Sequence, residues 1–276
     1  DQAFACTLTD NEKIVVGAYT EDAFNSTYSF AVIRYNSDGS LDNTFNSVGY
    51  VTTDLGYGAT GLYNDFWAMP HCGVVVQPDN KIIYVGTMRN TTTADGIVIR
   101  FNNDGTLDSD FTNLLDFYGN QDNASSVALQ GNDKIIVGGT TYTGEPNYYL
   151  KGTVVRLNNN GTLDDTFGTG GKVELDMGVP LSSGNDRREI YRVKIQNNGK
   201  ILAGGRISTN GSDYDIGVSR FLYDGDIDDT FNITGSFSFV SYDKPKGFGM
   251  AIAPEGKIVI SSGKENNNFF TARLAM

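Results

Sequence analysis

Histidine is nearly absent from this chain: there is one, His71, in 276 residues. There are two cysteines, six prolines and one tryptophan. No stretch has the roughly 18 consecutive apolar residues that a membrane-spanning helix needs, and no segment keeps up a helical spacing of apolar residues. The chemistry-bearing motifs are missing too. G-x-S-x-G, the phosphate-binding loop, Cys-x-x-Cys and H-E-x-x-H do not occur. These absences leave the constellations that mark an enzyme thin. A formal charge of −12 disfavours nucleic acid and anionic membrane surfaces as partners. The chain opens at Asp1, which fits a removed signal peptide or a trimmed N-terminus.

What the chain has in abundance is repetition. Asn11-Glu12-Lys13-Ile14-Val15-Val16-Gly17 returns as Asp79-Asn80-Lys81-Ile82, Asn132-Asp133-Lys134-Ile135, Asn198-Gly199-Lys200-Ile201 and Glu255-Gly256-Lys257-Ile258. A second phrase follows each copy and carries Arg34, Arg100, Arg156, Arg220 or Arg273. A third follows the first four: Leu41-Asp42-Asn43-Thr44-Phe45, Leu107-Asp108-Ser109-Asp110-Phe111, Leu163-Asp164-Asp165-Thr166-Phe167 and Ile227-Asp228-Asp229-Thr230-Phe231. The repeat lysines lie 68, 53, 66 and 57 residues apart, longer than most short-repeat arrays.

Within a unit, apolar residues alternate with a period of two on either side of an Asn/Asp/Gly turn. That pattern predicts a β-hairpin with one face in a core. Each unit reads as four strands: A before the turn, B carrying Lys-Ile, C carrying the arginine, and D after the Leu-Asp phrase. Four antiparallel strands repeated radially make a β-propeller. The expected fold is therefore all-β, with five four-stranded antiparallel blades at about 1–57, 66–120, 121–179, 186–242 and 246–276, forming one domain over 1–276. The last blade lacks its outer strand, leaving strand C as an open edge and a site for homo-oligomer contact.

The phrases Asn-x-Asp-Gly-Ser/Thr-Leu-Asp-x-x-Phe and Asp-Gly-Lys-Ile-x-x-x-Gly resemble the bacterial delta-60 repeat family, and their layout is similar to NHL-type propeller blades. The resemblance implies a propeller on exported or surface bacterial proteins, hence an extracellular or cell-surface location. It implies no activity and brings no catalytic residues. Leu222 departs from it, standing where Asn36, Asn102 and Asn158 stand.

Each repeat arginine has an aspartate eight residues on: Arg34 with Asp42, Arg100 with Asp108, Arg156 with Asp164 and Arg220 with Asp228. A constant spacing in every unit points to a structural pair rather than an anion-binding ring. The Asn36-Ser37-Asp38-Gly39-Ser40 loops carry the acceptors that calcium takes, but the bidentate Glu of an EF-hand loop is absent. They read instead as tight turns, with no cofactor expected. Gly56-Tyr57-Gly58-Ala59-Thr60-Gly61 matches a dinucleotide fingerprint, yet the aromatic, proline-stopped run after it does not open a helix. Cys6 and Cys72 occupy the same parity on two first strands, which leaves two readings open: a disulfide stapling adjacent blades, or two small buried side chains.

The connections that do not repeat are those from B to C and from D to A. Variable loops on a rigid scaffold are where binding residues gather. Tyr57, Tyr63, Trp67, Tyr142, Tyr148, Tyr149 and Tyr214 are the candidate ligand-binding residues, suited to carbohydrate or protein contact. No catalytic residue is assigned. The expected function is a non-catalytic binding or assembly module. The alternative is a propeller hydrolase or lyase using acidic residues near a central channel.

Overall fold

The structure is a computed structural model. It describes residues 2–22, 27–53, 59–60, 72–89, 94–111, 113–115, 117, 121–143, 149–175, 177, 186–208, 214–239, 245–264 and 269–274. Among the described residues there is no α-helix, and so none long and apolar enough to cross a membrane. A 3-10 turn at Ser109–Phe111 is the single helical element described.

The strands form successive antiparallel meanders. The first sheet has the order β1(Gln2–Leu8), β2(Ile14–Asp22), β3(Thr27–Tyr35) and β4(Tyr50–Thr53), with β5(Ala59–Thr60) also on β3. The second is β6(Gly73–Val76), β7(Ile82–Arg89), β8(Ala94–Phe101) and β9(Asn113–Leu115). A longer sheet holds two meanders. One is β10(Gln121–Gln130), β11(Lys134–Thr143), β12(Tyr149–Leu157) and β13(Lys172–Leu175). The other is β14(Arg187–Ile195), β15(Ile201–Ser208), β16(Asp215–Phe221) and β17(Ser236–Phe239). They join through one parallel bridge, Leu150 to Arg187. The last sheet has three strands, β18(Pro245–Ile252), β19(Ile258–Lys264) and β20(Phe269–Leu274).

The chain divides into two compact units. One comprises Asp1–Asp116 with Gln121–Val127, the other Phe117–Asn120 with Ala128–Met276. In the first, Tyr19, Phe30, Tyr84, Val32, Ile82 and Phe101 belong to one apolar cluster. In the second, β15 is buried along its whole length and feeds two clusters. Ile201 and Ala203 pack with Val193, Val154 and Phe167. Leu202 packs with Val218, Phe248 and Ile260. The period-two pattern predicts one buried face, but both faces of the inner strands are buried, because sheets stack face to face and cover each other. Consecutive residues of β7 show the same thing, with Ile82, Ile83, Tyr84 and Val85 all buried.

The A–B turns close as three-residue loops. In the first, Thr9 N–H donates to Lys13 O at 2.9 Å and Glu12 N–H to Thr9 O at 3.0 Å. The residue before each lysine takes a left-handed conformation, with φ +64° at Glu12 and Asn80 and +80° at Gly199. This is why Asn and Gly recur there. The C–D loops close in the same way, with Asn36 N–H donating to Ser40 O at 2.8 Å and Gly39 at φ +86°.

The disulfide reading is corrected. No bond joins Cys6 and Cys72, of which the first is exposed and the second buried. Equal strand parity puts both side chains on the same face of their own sheets. Cys72 packs on the face of the first sheet that carries Gly17 and its partner Ala5, whereas Cys6, one residue along and paired with Val16, faces the other way. Cys72 lies against the position a Cβ on Gly17 would take, 3.4 Å from its sulfur.

Candidate functional site

The repeated phrases assemble one clamp four times. Arg34 Nε donates to Asp42 Oδ2 at 2.6 Å, Arg100 to Asp108 at 2.8 Å, Arg156 to Asp164 at 2.7 Å and Arg220 to Asp228 at 2.6 Å. The repeat lysine is a third member that arginine–aspartate spacing alone does not reveal. Lys13, Lys81, Lys134 and Lys200 reach the same carboxylate oxygens at 2.7, 2.9, 2.9 and 2.7 Å. The repeat phenylalanine is the fourth. Phe45, Phe111, Phe167 and Phe231 lie under the guanidinium groups with ring centres 4.7, 4.2, 4.8 and 4.7 Å away. Where threonine follows two residues after the aspartate, its backbone N–H and hydroxyl donate to the other carboxylate oxygen, as Thr44 does at 3.1 and 2.6 Å.

Two clamps also reach into a neighbouring meander of their own unit. Arg34 Nη1 donates to Asn103 O and Oδ1, each at 2.8 Å. Arg156 Nη1 donates to Tyr223 O at 2.6 Å. Burial pulls the Asp42 and Asp164 carboxyls upward, but the hydrogen bonds from lysine, threonine and arginine outweigh it and hold both far below the usual carboxylate range. A residue repeated for such a clamp is scaffold. The turn carboxylates are engaged as well: Asp38 Oδ1 accepts from the Ser40 N–H and hydroxyl at 2.9 and 2.6 Å. Asp104 accepts from Thr106 in the same way. Among the described residues no group of three His, Cys, Asp or Glu side chains is placed to hold a metal ion.

Of the candidate binding residues, Tyr57, Tyr63, Trp67 and Tyr148 lie outside the described residues, as does His71. Tyr142, Tyr149 and Tyr214 are described. Tyr142 and Tyr149 are half-buried at the end of the β11–β12 hairpin, where Tyr142 pairs with Leu150. Leu150 N–H donates to Asp186 O at 3.1 Å, beside the bridge to Arg187. Tyr214 is buried, its ring 4.2 Å beneath the guanidinium carbon of Arg206 and its hydroxyl accepting from Arg187 Nη1 at 3.1 Å. It is thus part of a side-chain cluster rather than an exposed loop tip.

That cluster lies at the variable-loop end of β14 and β15. Arg206 grips Glu189 with two hydrogen bonds, Nε to Oε2 at 2.8 Å and Nη2 to Oε1 at 3.0 Å. The two residues face each other across the antiparallel pair. Tyr191 donates its hydroxyl to Glu189 Oε2 at 2.5 Å. Both charged side chains are only 10% exposed. Burial pushes the Tyr191 phenol well above its ordinary range, and the neighbouring Glu189 charge adds to that. Burial lowers Arg206, but the attraction of Glu189 prevails and leaves it raised. A β-bulge between Ile190 and Arg192 shapes this place. Gly205 allows it, since a Cβ there would fall 1.8 Å from Glu189 O.

Sequence reasoning missed Arg187, Glu189, Tyr191 and Arg206. The signal was available in the alignment of repeats. Counted from the repeat lysine, Gln2, Phe4 and Tyr19 stand where Glu189, Tyr191 and Arg206 stand. In the first copy Phe4 and Tyr19 join an apolar cluster, with their ring centres 5.8 Å apart and those of Tyr19 and Tyr84 6.4 Å apart, while Gln2 is exposed. One register of the repeat therefore carries an aromatic core in one copy and an ion pair in another.

The comparison with known families follows these same boundaries. The domain of unknown function (DUF5122) beta-propeller matches residues 11–45, 77–111, 130–167 and 196–231, together just over half of the chain. The chain belongs to the DUF5122 beta-propeller family. The matched segments begin at the hairpin turns and end at the clamp phenylalanines, so each contains one complete clamp. No curated protein matches. Among solved structures, an α-L-arabinanase of Penicillium chrysogenum complexed with arabinobiose is similar, at a TM-score of 0.59 and 12% identity over 98% of this chain and 77% of the other. An endo-arabinase of Bacteroides thetaiotaomicron aligns at 0.55 and 12%, over 99% and 93%. A Dyadobacter fermentans protein of unknown function aligns at 0.58 and 11%, over 99% and 78%. These likenesses concern the fold.

Proposed function

We propose that this DUF5122 beta-propeller protein is a non-catalytic binding or assembly module, exported or held at a bacterial cell surface, with carbohydrate as its ligand class. The five strand sets are read as propeller blades, the last with three strands among the described residues. Ligand contact is assigned to the variable connections and to the residues at their feet, Tyr142, Tyr149 and Arg187.

The observation that carries the non-catalytic reading is how the carboxylates are held. Asp42, Asp108, Asp164 and Asp228 each accept from an arginine and a lysine, and Glu189 from Arg206 and Tyr191. Glycoside hydrolysis needs one carboxyl kept neutral to protonate the leaving group. Among the described residues, the carboxylates with a displaced ionisation are displaced toward the charged form. The second reading, a hydrolase or lyase on a polysaccharide, draws on the two arabinan-acting enzymes of similar fold.

Half-buried tyrosines suit a sugar, which offers C–H faces for stacking and hydroxyls for hydrogen bonds. A glycan array with the purified protein tests the ligand class. Binding to a set of glycans supports the proposal, and an empty array together with capture of a protein ligand overturns the carbohydrate assignment.

A further inference from the structure

The first strand of the fourth meander departs from the repeat in one direction. β14 carries Arg187, Arg188, Arg192 and Lys194, whereas β1, β6, β10 and β18 together carry one cation, Lys246. Counted from the repeat lysine, Arg192 stands where the other copies have Ala5, Gly73, Ser126 and Gly249. Lys194 stands where they have Thr7, Val75, Ala128 and Ala251. On β15, Arg206 likewise takes the place of Tyr19, Thr87, Thr140 and Gly263. The other copies build these strands with neutral residues, so the fold does not require the charges. Pairing gathers them on one face. Arg187, Glu189, Arg192 and Lys194 lie opposite Ser208, Arg206, Gly204 and Leu202, which alternate along β15 and so share one side of the sheet. The bulge before Arg192 absorbs the residue that would otherwise turn it to the other side. Arg188 pairs with Ile207, on the opposite face, and is buried beside Asp186. The shared face therefore holds four cations and one carboxylate, Glu189, which Arg206 grips. Arg187 and Arg192 are half-buried and Lys194 is exposed. At roughly 3.4 Å per rung, the stripe from Arg187 to Lys194 is about 20 Å long.

We propose that this stripe selects an anionic saccharide, an oligomer with a carboxylate or sulfate on successive sugar units, laid along β14. The inference rests on the carbohydrate reading above and names the charge of that ligand. Guanidinium groups present planar forks of donors that match the paired oxygens of such acids, and Arg206 already holds the Glu189 carboxylate in that way. Cations spread along a strand suit an extended chain better than a single small acid. Arg187 heads the stripe at the foot of a variable connection, bridged to Leu150, the residue after Tyr149. The formal charge of −12 does not cancel this attraction. In the fourth copy the exposed carboxylates Asp224, Asp226 and Asp229 stand on the C–D loop, at the far end of the strands from Arg187. Along β14 that is about 25 Å, several times the screening length of about 8 Å at physiological salt.

The probes are fluorescein-labelled oligogalacturonate, the same oligomer methyl-esterified, sulfated dextran and neutral arabino-oligosaccharide, titrated by fluorescence anisotropy. Saturable binding is expected for the oligogalacturonate or the sulfated dextran, and the arm that binds names the acid. Binding should weaken as salt is raised. Methyl esterification should abolish binding of the galacturonate, since it removes the charge and keeps the sugar. Arg187→Gln should weaken binding roughly 10- to 100-fold, the range for loss of a charged hydrogen-bond partner. Lys194→Gln should weaken it about two- to fivefold, as for an exposed ion pair, and should melt like the parent because this lysine is exposed. Arg273→Gln removes the same charge from a 60% exposed side chain on β20 and should leave binding unchanged. Equal losses in Arg273→Gln and Arg187→Gln would reduce the effect to net charge and overturn the proposal. So would acid-independent binding, in which the esterified or neutral oligomer binds as well as the charged ones; the carbohydrate reading would then stand without its anionic refinement. An oligodeoxynucleotide that binds more tightly than either charged saccharide overturns the choice of ligand. Binding of no saccharide at all overturns the carbohydrate reading and this inference with it.

Discussion

Replacing Asp164 with alanine should cost far more than replacing its neighbour Asp165. Asp164 is buried and accepts from Arg156 at 2.7 Å, Lys134 at 2.9 Å and the Thr166 hydroxyl at 2.7 Å. Its removal leaves two cations facing each other with no anion between them. Loss of one member of a buried pair costs about 3–5 kcal/mol. Arg156 keeps neutral acceptors in Tyr223 O at 2.6 Å, Thr166 Oγ1 at 3.1 Å and Gln130 Oε1 at 3.2 Å, which favours the lower end. In a chain of this size about 1 kcal/mol moves the melting temperature by roughly 2–4 °C, so Asp164→Ala should lower it by roughly 6–12 °C. Asp165 is exposed, and its alanine variant should stay within about 0.5 kcal/mol of the parent. Asp108 offers a graded control. Its clamp has Asp110 in place of threonine and a side chain 12% exposed. Asp108→Ala should fall between the other two, at about 1–2 kcal/mol. Thermal melts followed by circular dichroism give the order. Equal melting temperatures for Asp164→Ala and Asp165→Ala would refute the reading of the repeat as a structural clamp.

Further expectations follow from the same geometry. Gly205→Ala places a Cβ against Glu189 O, so the bulge must move, and the variant should melt lower with a changed near-ultraviolet spectrum from Tyr191 and Tyr214; an unchanged spectrum contradicts this. Arg206→Met alone leaves Glu189 buried without its cation and should cost about 3–5 kcal/mol, whereas Arg206→Met with Glu189→Leu should recover most of it; equal losses would show that the pair is not coupled. Acid should loosen the clamps in a defined window. Burial tends to raise Asp228, but Lys200, Thr230 and Arg220 hold it down to about 2, below the roughly 3.9 of an unfolded aspartate. Its contribution is therefore present above about pH 4 and is lost as pH falls toward 2. Melting temperatures that stay flat between pH 5 and pH 2 would contradict the assignment.

Much of the fold could be read before any coordinates because the repeat states local rules. Asn80 and Gly199 sit where the turn requires a positive φ, and the alternation around them marks the strands. The arginine–aspartate spacing of eight is one strand end plus one tight loop. What a single unit could not convey was stacking. Burial of β7 and β15 on both faces depends on a neighbouring sheet, and so does the separation of Cys6 from Cys72. The phenylalanine stands 11 residues after the arginine in every copy, a spacing as constant as the aspartate's, whereas the lysine lies 19 to 22 residues before it, at no fixed spacing, and meets it only after the hairpin closes. The Glu189–Arg206 pair was hidden for a different reason. It occupies a register that the first copy fills with Gln2 and Tyr19, so the repeat pattern averages it away. Tyr214 lies just before β16, in the same hairpin as Arg206 on β15, but no repeated spacing announces that it is buried beneath that guanidinium.

The most direct test of the central claim is to incubate the protein with a panel of soluble polysaccharides that includes arabinan, and to measure binding and release of new reducing ends in the same samples. The account predicts retention on at least one polysaccharide, loss of retention in Tyr142→Ala/Tyr149→Ala at an unchanged melting temperature, and no new reducing ends. Reducing ends that accumulate with time and protein concentration would contradict it.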